Sequence, residues 1–441
     1  MKAPVYKSLS DFWSEKKQEF INGCTLCGDC MEVCPVIGYT DYAQDEPTRA
    51  MERFLAFLED GSDVEAAHSF MQACMDCARC GEVCPLGSRL HQIVKDFVLT
   101  DLRQAGYPVP KAEEELPENP ESVYRVFAAI QPKPLERYKR WLVKMPTNPP
   151  QVDTIYFPSC SSPGLTKRLF DMLDIFEMTG LDYLALSSHD LDLCCGCMHL
   201  KNGYMKQTEQ RARSLVTTLS AFRPKMVVTG CPWTYHWLHN FVPEFSPYEF
   251  EVQHQVQFIA DNLERLSFRH MDCIVAYHDS CSIGRWAREF ERPRKILRHM
   301  PGVTFVEMKR NRNDAACCGA AAPKELQTKM VNDSLAEVSA TGAKVLTSIC
   351  AGCVMNFQQY AASYGLNVMN IISFVAGGLG ISNEDTLQKC FQYGSVDRVI
   401  KATRSNIERS EFTEEEIRPL ISRYLFAGST LGGYDQAPRE K

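Results

Sequence analysis

The sequence predicts a multidomain chain of the α+β class, in which a helical, cysteine-rich N-terminal domain precedes two repeated α/β lobes. Three observations lead to this prediction. Two cysteine runs of identical spacing lie close to the N-terminus, among segments with helical apolar spacing. Short β-rich runs alternate with helical ones after residue 150. Cysteine landmarks in this second part recur in the same order at a nearly constant offset.

The composition is that of a folded protein in a reducing compartment. The chain has 441 residues, of which 45% are hydrophobic and 23% charged, with a formal net charge of -7. No long basic run is present, so nucleic acid is not an expected partner. Most of the twenty cysteines fall in motifs with metal-ligand spacing and no secretory leader is visible, so we expect a cytoplasmic chain with reduced, metal-binding thiols. The longest apolar stretch, 368–381, is interrupted by glycines and short for a membrane span. Membrane association would therefore come through a partner subunit.

Helices are predicted in three segments of the N-terminal domain. Residues 1–20 have amphipathic spacing with Ser10 or Asp11 as the cap. The segment 46–58 has Pro47 near its start, where a helix tolerates proline, and 91–104 follows the second cysteine run.

A change of composition marks each predicted domain boundary. Prolines recur among charged residues in 107–150, which predicts a surface linker with a short helix around Pro134 to Lys144. Four β-rich runs follow, at 153–157, 225–229, 273–277 and 344–347. The expected domains are therefore 1–106 (helical), 107–150 (linker), 151–268 (first lobe), 269–382 (second lobe) and 383–441 (a polar tail, helical over 413–424).

An internal repeat supports the two lobes. A strand followed by a cysteine, a Cys-Cys-Gly motif, and a second strand followed by a cysteine occur in one order. Each landmark recurs about 120 residues later, which is unlike a chance arrangement. The landmarks are Cys160, Cys194-Cys195-Gly196 and Cys231 in the first lobe, and Cys281, Cys317-Cys318-Gly319 and Cys350 in the second. Cys273 and Cys390 belong to no motif and are predicted to be ordinary buried residues.

Two runs of the form C-x2-C-x2-C-x3-C-P give the strongest chemical signal. They are Cys24, Cys27, Cys30 and Cys34 before Pro35, and Cys74, Cys77, Cys80 and Cys84 before Pro85. In ferredoxin-type sequences three such thiolates surround one face of a cubane, and the fourth ligates the other cluster. We therefore expect two [4Fe–4S] clusters, one held by Cys24, Cys27, Cys30 and Cys84, the other by Cys74, Cys77, Cys80 and Cys34. Structural zinc is the alternative.

The second lobe resembles a known family in more than its cysteines. The motifs are YHDSCSIGR (277–285), ERPRKIL (291–297), PGVTFVEM (301–308), CCGAAA (317–322) and the C-x2-C pair Cys350 and Cys353. In order and spacing they resemble the CCG domain of heterodisulfide reductases and of the iron–sulfur subunits of glycolate and lactate oxidases. With the N-terminal runs, the resemblance covers roughly residues 15–375.

The resemblance implies a redox-active second lobe. Its five cysteines, Cys281, Cys317, Cys318, Cys350 and Cys353, would hold a non-cubane [4Fe–4S] cluster that meets a disulfide and delivers electrons singly. A structural zinc or a purely structural cluster is the alternative. His278 precedes Cys281 closely and could donate a proton to a leaving thiolate, or could simply cap a turn. Arg285 could offset cluster charge or lie on the surface.

The first lobe departs from the family pattern. Cys160, Cys194, Cys195 and Cys231 are in place, but Thr234 stands where the fifth cysteine is expected. Three outcomes stay open: the four thiolates hold a further cluster or zinc, Cys197 or a histidine (His236 or His239) substitutes, or the lobe holds no metal.

The resemblance implies an oxidoreductase subunit. Electrons would pass through the two cubanes to the second-lobe cluster, which would reduce a disulfide or thiol-type substrate. No dinucleotide, phosphate-loop or flavin motif appears. Expected partners are therefore other subunits: a flavoprotein, a hydrogenase- or formate-dehydrogenase-type donor, or a membrane cytochrome. Two alternatives remain: a pure electron relay for a flavoprotein 2-hydroxy-acid dehydrogenase or quinone-linked complex, and a zinc-holding adaptor.

Overall fold

The computed structural model of the chain describes residues 5–107, 116, 118–133, 138 and 140–426. It confirms the predicted fold class, a helical N-terminal region followed by two α/β lobes. The N-terminal helices are α1 (Leu9–Gly23), α2 (Asp29–Glu32), α3 (Pro47–Asp60), α4 (Val64–Ala73), α5 (Arg79–Val83) and α6 (Ser88–Gln104).

The helices predicted at 46–58 and 91–104 are confirmed. The helix predicted over 1–20 begins only at Leu9, because residues 5–8 are not helical, and residues 1–4 lie outside the described residues. Helix α1 begins after Ser8, whose hydroxyl accepts from the Asp11 backbone N–H, so neither Ser10 nor Asp11 is the cap. Helix α3 begins at Pro47, whose missing N–H costs nothing in a first turn. Helix α6 is buried along most of its length and packs against α1, because it lies at the centre of the N-terminal core.

The segment predicted as a linker contributes to the folded core. It holds helix α7 (Val123–Ala129) and strand β1 (Trp141–Leu142), which pairs with the first sheet. The predicted helix around Pro134 to Lys144 is wrong at its described end, because Trp141 and Leu142 are extended. Residues 134–137 and 139 of that prediction lie outside the described residues.

The first lobe contains a five-stranded parallel sheet in the order β1-β3-β2-β4-β5. Its elements are β2 (Thr154–Phe157), α8 (Thr166–Thr179), β3 (Tyr183–Leu186), α9 (Cys197–Leu200), α10 (Met205–Ala221), β4 (Met226–Thr229), α11 (Pro232–Asn240), α12 (Val242–Phe245), β5 (Glu251–His254) and α13 (Gln255–Asp261).

The second lobe contains a four-stranded parallel sheet in the order β7-β6-β8-β9. Its elements are β6 (Cys273–Tyr277), α14 (Glu291–His299), β7 (Val303–Val306), α15 (Lys324–Ala340), β8 (Val345–Ser348), α16 (Ala351–Ala361), β9 (Asn367–Asn370) and α17 (Ile371–Gly378). Without the added β1, the two sheets have the same strand order, so the internal repeat is confirmed.

The lobes pack on each other through equivalent helices. Helix α17 of the second lobe packs against α8 of the first, and α13 of the first packs against α14 of the second. Since α8 corresponds to α14 and α13 to α17, the interface has approximate two-fold symmetry. Its polar contacts include Lys295, which donates to the Ala260 carbonyl, and Gln257, which donates to Glu289.

The C-terminal region forms a separate small core. Its helices are α18 (Thr386–Gln392), α19 (Val396–Ile407), α20 (Glu414–Ile421) and a π-helix (Ser422–Phe426), so the predicted helix over 413–424 is confirmed. They pack with α7, and Leu165 of the first lobe and Met355 of the second pack against this core. Cys390 is buried there as predicted, whereas Cys273 is half-buried, contrary to the prediction. The domain boundaries at 106, 150, 268 and 382 remain a proposal.

A glycine permits the close approach of the first lobe to α6. Gly203 has φ of +73°, and a Cβ on it would lie 2.5 Å from the Leu99 carbonyl oxygen. Gly180 has a similar φ of +68° but open space around it. Comparison of substitutions at the two glycines therefore separates the cost of a left-handed backbone from the cost of losing close packing.

We predict that Gly203→Ala destabilises the protein more than Gly180→Ala. Both substitutions lower the free energy of unfolding by about 1–2 kcal/mol, because alanine is unfavourable in a left-handed conformation. Gly203→Ala costs about 1–3 kcal/mol more, because its Cβ pushes α6 away from the first lobe. Midpoints of denaturant unfolding for the two variants check this. Equal midpoints would contradict this, because they would show that α6 accommodates the added methyl group without a loss of stability.

Candidate metal centres

Four cysteines from both N-terminal runs line one pocket. They are Cys24, Cys27, Cys30 and Cys84. Cys84 ends the second run, so the chain crosses between the runs as the spacing predicts. Cys30 is buried and Cys27 is exposed, so this first cysteine group has one edge towards solvent.

The other four N-terminal cysteines form a more deeply buried second group. Burial raises the pKa of the Cys34 thiol, and the thiols whose charges act on it are those of Cys74, Cys80 and Cys77. Cys74 and Cys77 are buried, and Cys80 is half-buried. The structure therefore brings together each predicted set of four, while their role as ligands remains a prediction.

The two cysteine loops share an unusual backbone that suits an anionic group. Leu26 and Gly28 in the first loop, and Asp76 and Ala78 in the second, all have φ between +52° and +82°. Three of these four are not glycine, and such local strain clusters at functional sites. It turns backbone N–H groups inward: that of Asp76 donates to Cys74 Sγ at 3.4 Å. Donors aimed at sulfur favour thiolates and clusters of thiolates.

Two buried lysines lie beside the second group, and the sequence reasoning missed both. Lys95 Nζ contacts Cys74 Sγ and lies 3.6 Å from an Asp76 oxygen. Lys201, from the first lobe, lies 3.0 Å from Asp76 and 3.4 Å from Asp96. The signal that could have identified Lys95 is its position within the mostly buried helix α6, where a lysine is unusual.

The five predicted cysteines of the second lobe form one continuous network. Cys281 donates to Cys317, Cys317 donates to Cys318, and Cys353 contacts both Cys318 and Cys350. Hydrogen bonds from Cys317 and Cys353 lower the pKa of Cys318 to about 6. A thiol of this pKa is largely a thiolate at neutral pH, which is the form that binds metal.

The N-terminus of α16 stabilises a second thiolate. A hydrogen bond from Cys353 is the main cause that lowers the pKa of Cys350 to about 6, and the backbone N–H groups of Cys353 and Gly352 and the Ser282 hydroxyl add to it. Cys350 is the residue before the first turn of α16, where free N–H groups and the helix dipole favour negative charge.

The structure explains why each Cys-Cys-Gly motif ends in glycine. Gly196 and Gly319 have φ of +83° and +72°, and the N–H of each donates to the first cysteine of its pair at 3.4 Å. A Cβ on Gly196 would lie 2.6 Å from the Thr208 carbonyl oxygen. Only glycine combines this conformation with this closeness to the following long helix.

The first lobe repeats the backbone arrangement with altered side chains. Thr234, at the position of the missing cysteine, donates its hydroxyl to Cys195 Sγ over 3.5 Å. A hydrogen bond from Cys194, aided by that of Thr234, lowers the pKa of Cys195 to about 7. The charge of Cys160 acts on the thiol of Cys194, and the charge of Cys195 acts on the thiol of Cys231. The four expected thiols thus lie together around the carboxyl ends of β2 and β4.

The histidines proposed as substitutes do not lie among these thiols. His236 hydrogen-bonds Asn240 and packs edge-on against Trp286, and His239 is exposed. His199 does lie beside a first-lobe thiol, with its Nδ1 4.0 Å from Cys194 Sγ. It stands shortly after Cys197 in the sequence, a signal that the sequence reasoning missed.

His278 does not contact the five-thiol network in the way a proton donor would. Its ring packs edge-on against Phe357 at 4.8 Å, and burial lowers its pKa to about 4. The neighbouring Asp279 is held by Arg294 through two hydrogen bonds of 2.8 and 2.7 Å. These contacts favour packing and structural roles for both residues.

The second group and the second-lobe network meet across a domain junction. Cys34 and Cys77 pack in the same apolar cluster as Cys281 and Cys317. Trp286 of the second lobe reaches across and donates to the Asp76 carbonyl at 2.6 Å. The first group adjoins the second, since the charge of Cys80 acts on the thiols of Cys30 and Cys84. The three cysteine sets therefore form a series that runs from a partly exposed edge to the second lobe.

Among the described residues, no helix has the length and apolarity needed to cross a bilayer.

Comparison with protein families identifies the domains. A model described as a 4Fe-4S dicluster domain matches residues 15–88. A model described as a cysteine-rich domain matches twice, at 154–238 and 275–358. The N-terminal region therefore binds 4Fe-4S clusters, and the cysteine-rich domains support further iron–sulfur binding.

Several curated proteins resemble the chain over part of its length. One subunit of the dihydromethanophenazine:CoB–CoM heterodisulfide reductase of Methanosarcina barkeri is 29% identical over 53% of this chain and 60% of the relative. One subunit of the fumarate reductase (CoM/CoB) of Methanothermobacter marburgensis is 25% identical over 42% of this chain and 38% of the relative. The probable glycolate oxidase iron-sulfur subunit of Bacillus subtilis is 23% identical over 49% of each. The match thus spans at most about three fifths of each of these relatives.

We predict that Cys84→Ala loses the same cluster as Cys24→Ala, although the two residues belong to different runs. Each removes one thiol from the first group, and a cubane needs four. Cys34→Ala should instead lose the same cluster as Cys74→Ala.

Iron content and electron paramagnetic resonance after reduction check this assignment. Each variant should lose about four irons, and the remaining signal should be identical within each pair. If Cys84→Ala and Cys74→Ala left the same remaining signal, that result would contradict the assignment of Cys84 to the cluster of the other run.

Proposed function

Because the chain belongs to the iron–sulfur proteins that join a 4Fe-4S dicluster domain to two cysteine-rich domains, we propose that it is the electron-transfer subunit of a heterodisulfide reductase-like complex. Electrons travel between the first cysteine group, the second group and the five-thiol network of the second lobe. That network is the proposed catalytic site, and its substrate is a disulfide or its thiols.

The observation that carries this proposal is the position of the five-thiol network. It shares an apolar cluster with Cys34 and Cys77 of the second group, so an electron would cross packed protein rather than solvent. Cys318 and Cys353 are buried within the second lobe. Disulfide reduction consumes two electrons and two protons and yields two thiols, whereas each iron–sulfur cluster, when bound, supplies single-electron steps.

The side chains support three different roles in this proposal. The eight N-terminal cysteines hold two cubane clusters, and the five neighbouring thiols of the second-lobe network hold iron in a further, non-cubane cluster. Ser282 and the start of α16 orient Cys350 through hydrogen bonds. The first lobe keeps Cys160, Cys194, Cys195 and Cys231 together, and we propose a further cluster or zinc there with a structural role.

A second candidate is a pure electron relay in a flavoprotein 2-hydroxy-acid dehydrogenase or quinone-linked complex. The similarity to a probable glycolate oxidase iron-sulfur subunit favours it. So does the altered first lobe, because Thr234 leaves that lobe one thiol short of the set in the second. In both proposals the chain works within a complex whose other subunit is a flavoprotein, a hydrogenase- or formate-dehydrogenase-type donor, or a membrane cytochrome.

Iron analysis separates the two candidates. Anaerobically purified protein is assayed for iron, acid-labile sulfide and zinc, and then oxidised stepwise with a thiol present. About twelve irons and a thiol-dependent paramagnetic signal support the catalytic proposal. About eight irons without such a signal would leave a relay with two cubanes.

We predict that Cys318→Ala abolishes turnover of a disulfide acceptor and leaves both N-terminal clusters reducible. Cys318 lies at the centre of the five-thiol network, so its loss removes the link between Cys317 and Cys353. Cys390→Ala, which removes a buried thiol from the C-terminal core, is the matched control and should keep turnover. Retained turnover in Cys318→Ala would move the catalytic site elsewhere.

A further inference from the structure

Arg285 lies at the junction between the second lobe and the N-terminal domain. It is 2% exposed, and its guanidinium makes three hydrogen bonds to backbone carbonyls. Nε donates to the Cys77 carbonyl at 2.6 Å, and Nη1 donates to those of Asn313 and Ala315 at 3.2 and 2.8 Å. It therefore binds both sides of the junction. The sequence alternative of a surface arginine is wrong.

Arg285 differs from other buried cations nearby in how its charge is compensated. Arg294 is paired with Asp279 at 2.7 Å, and Lys201 is paired with Asp76 at 3.0 Å. Within the part of the chain that the structure describes, Arg285 forms no ion pair with a carboxylate. Carbonyl dipoles satisfy its N–H groups but leave its charge uncompensated, and an uncompensated buried charge is unfavourable.

Cysteines of both sites lie beside Arg285. Its Nε donates to the carbonyl of Cys77, a member of the second group, and the N–H of the next residue, Trp286, donates to the Cys281 carbonyl at 3.0 Å. Cys77 and Cys281 also pack in one apolar cluster. One cation thus faces the second group and the five-thiol network together.

We propose that Arg285 is an electrostatic bridge that stabilises the reduced state of the clusters on both sides of the junction. This inference rests on the proposed function, since it takes both sites to hold iron–sulfur clusters. Each arriving electron adds a negative charge in a poorly solvated region, where a fixed cation has a large effect. A guanidinium keeps its proton at every accessible pH, so this compensation is permanent. Arg285 acts as a positioning residue for electron transfer, because it sets potentials without binding substrate.

The neighbouring Arg288 provides a matched control. It also joins the second lobe to the N-terminal domain, through Glu82 at 2.6 Å, but it is about half exposed. Its charge is already paired and screened by solvent. Arg288→Met therefore removes a cation and a junction contact without removing a buried, uncompensated charge.

The test is a redox titration of the anaerobically purified full chain, followed by electron paramagnetic resonance. In Arg285→Met, the midpoint potentials of the second-group cubane and of any second-lobe cluster should fall, with the first group unchanged. Arg288→Met should leave all potentials unchanged, and Arg285→Lys should lie close to the unmodified protein. An unchanged second-group potential in an iron-replete Arg285→Met would overturn the proposal.

The remaining outcomes are also decisive. Where Arg285→Met loses iron, Arg285→Gln, which keeps an N–H donor without charge, is titrated in its place. Loss of iron from both neutral variants but not from Arg285→Lys supports a requirement for charge, whereas loss from all three contradicts it. If the unmodified chain holds only about eight irons, the proposed catalytic function fails, and the second-group potential still tests Arg285.

Discussion

Buried sulfur that must carry negative charge is the constraint on which the rest of this structure depends. A thiolate or a thiolate-bound cluster is unfavourable in a protein interior unless N–H donors or cations face it. The chain supplies both. Left-handed residues turn N–H groups to the N-terminal sulfurs, helix α16 begins after Cys350, and Lys95 contacts Cys74. Parallel sheets are suited to this task because loops at the carboxyl ends of their strands gather residues from distant parts of the chain.

The two lobes show how one backbone serves different sites. In both, the glycine after the cysteine pair donates to sulfur, and a side chain on α11 or on its counterpart α16 donates to the carbonyl of the second cysteine. That side chain is Trp237 in the first lobe and Asn356 in the second. The scaffold is therefore retained while the side chains on it change: Thr234 stands in place of the last cysteine, and Cys197 follows Gly196. Divergence of the sites has left the strand order intact.

Sequence reasoning predicted what depends on local spacing. Cysteine runs, strand segments and the repeat follow from short patterns, and the structure agrees with them. It did not predict what depends on contacts between distant segments. Lys95 meets Cys74 across the N-terminal domain, and Lys201 of the first lobe meets Asp76. His199 meets Glu118, and Arg285 could equally have been a surface residue. Trp141–Leu142 was taken for helix because proline-rich sequence carries little periodic signal, and its strand pairing comes from the neighbouring sheet.

The pairing of α7 with the C-terminal helices bears on the order of events during biosynthesis. Arg125 contacts Glu411, Asn406 donates to the Ile130 carbonyl, and Tyr424 donates to the Glu121 carbonyl. These partners lie hundreds of residues apart, and a ribosome releases the N-terminal member of each pair long before the other. The part of α7 that packs on the C-terminal helices therefore stays uncovered while both lobes are being synthesised, so this small core is the last part of the described chain to be completed.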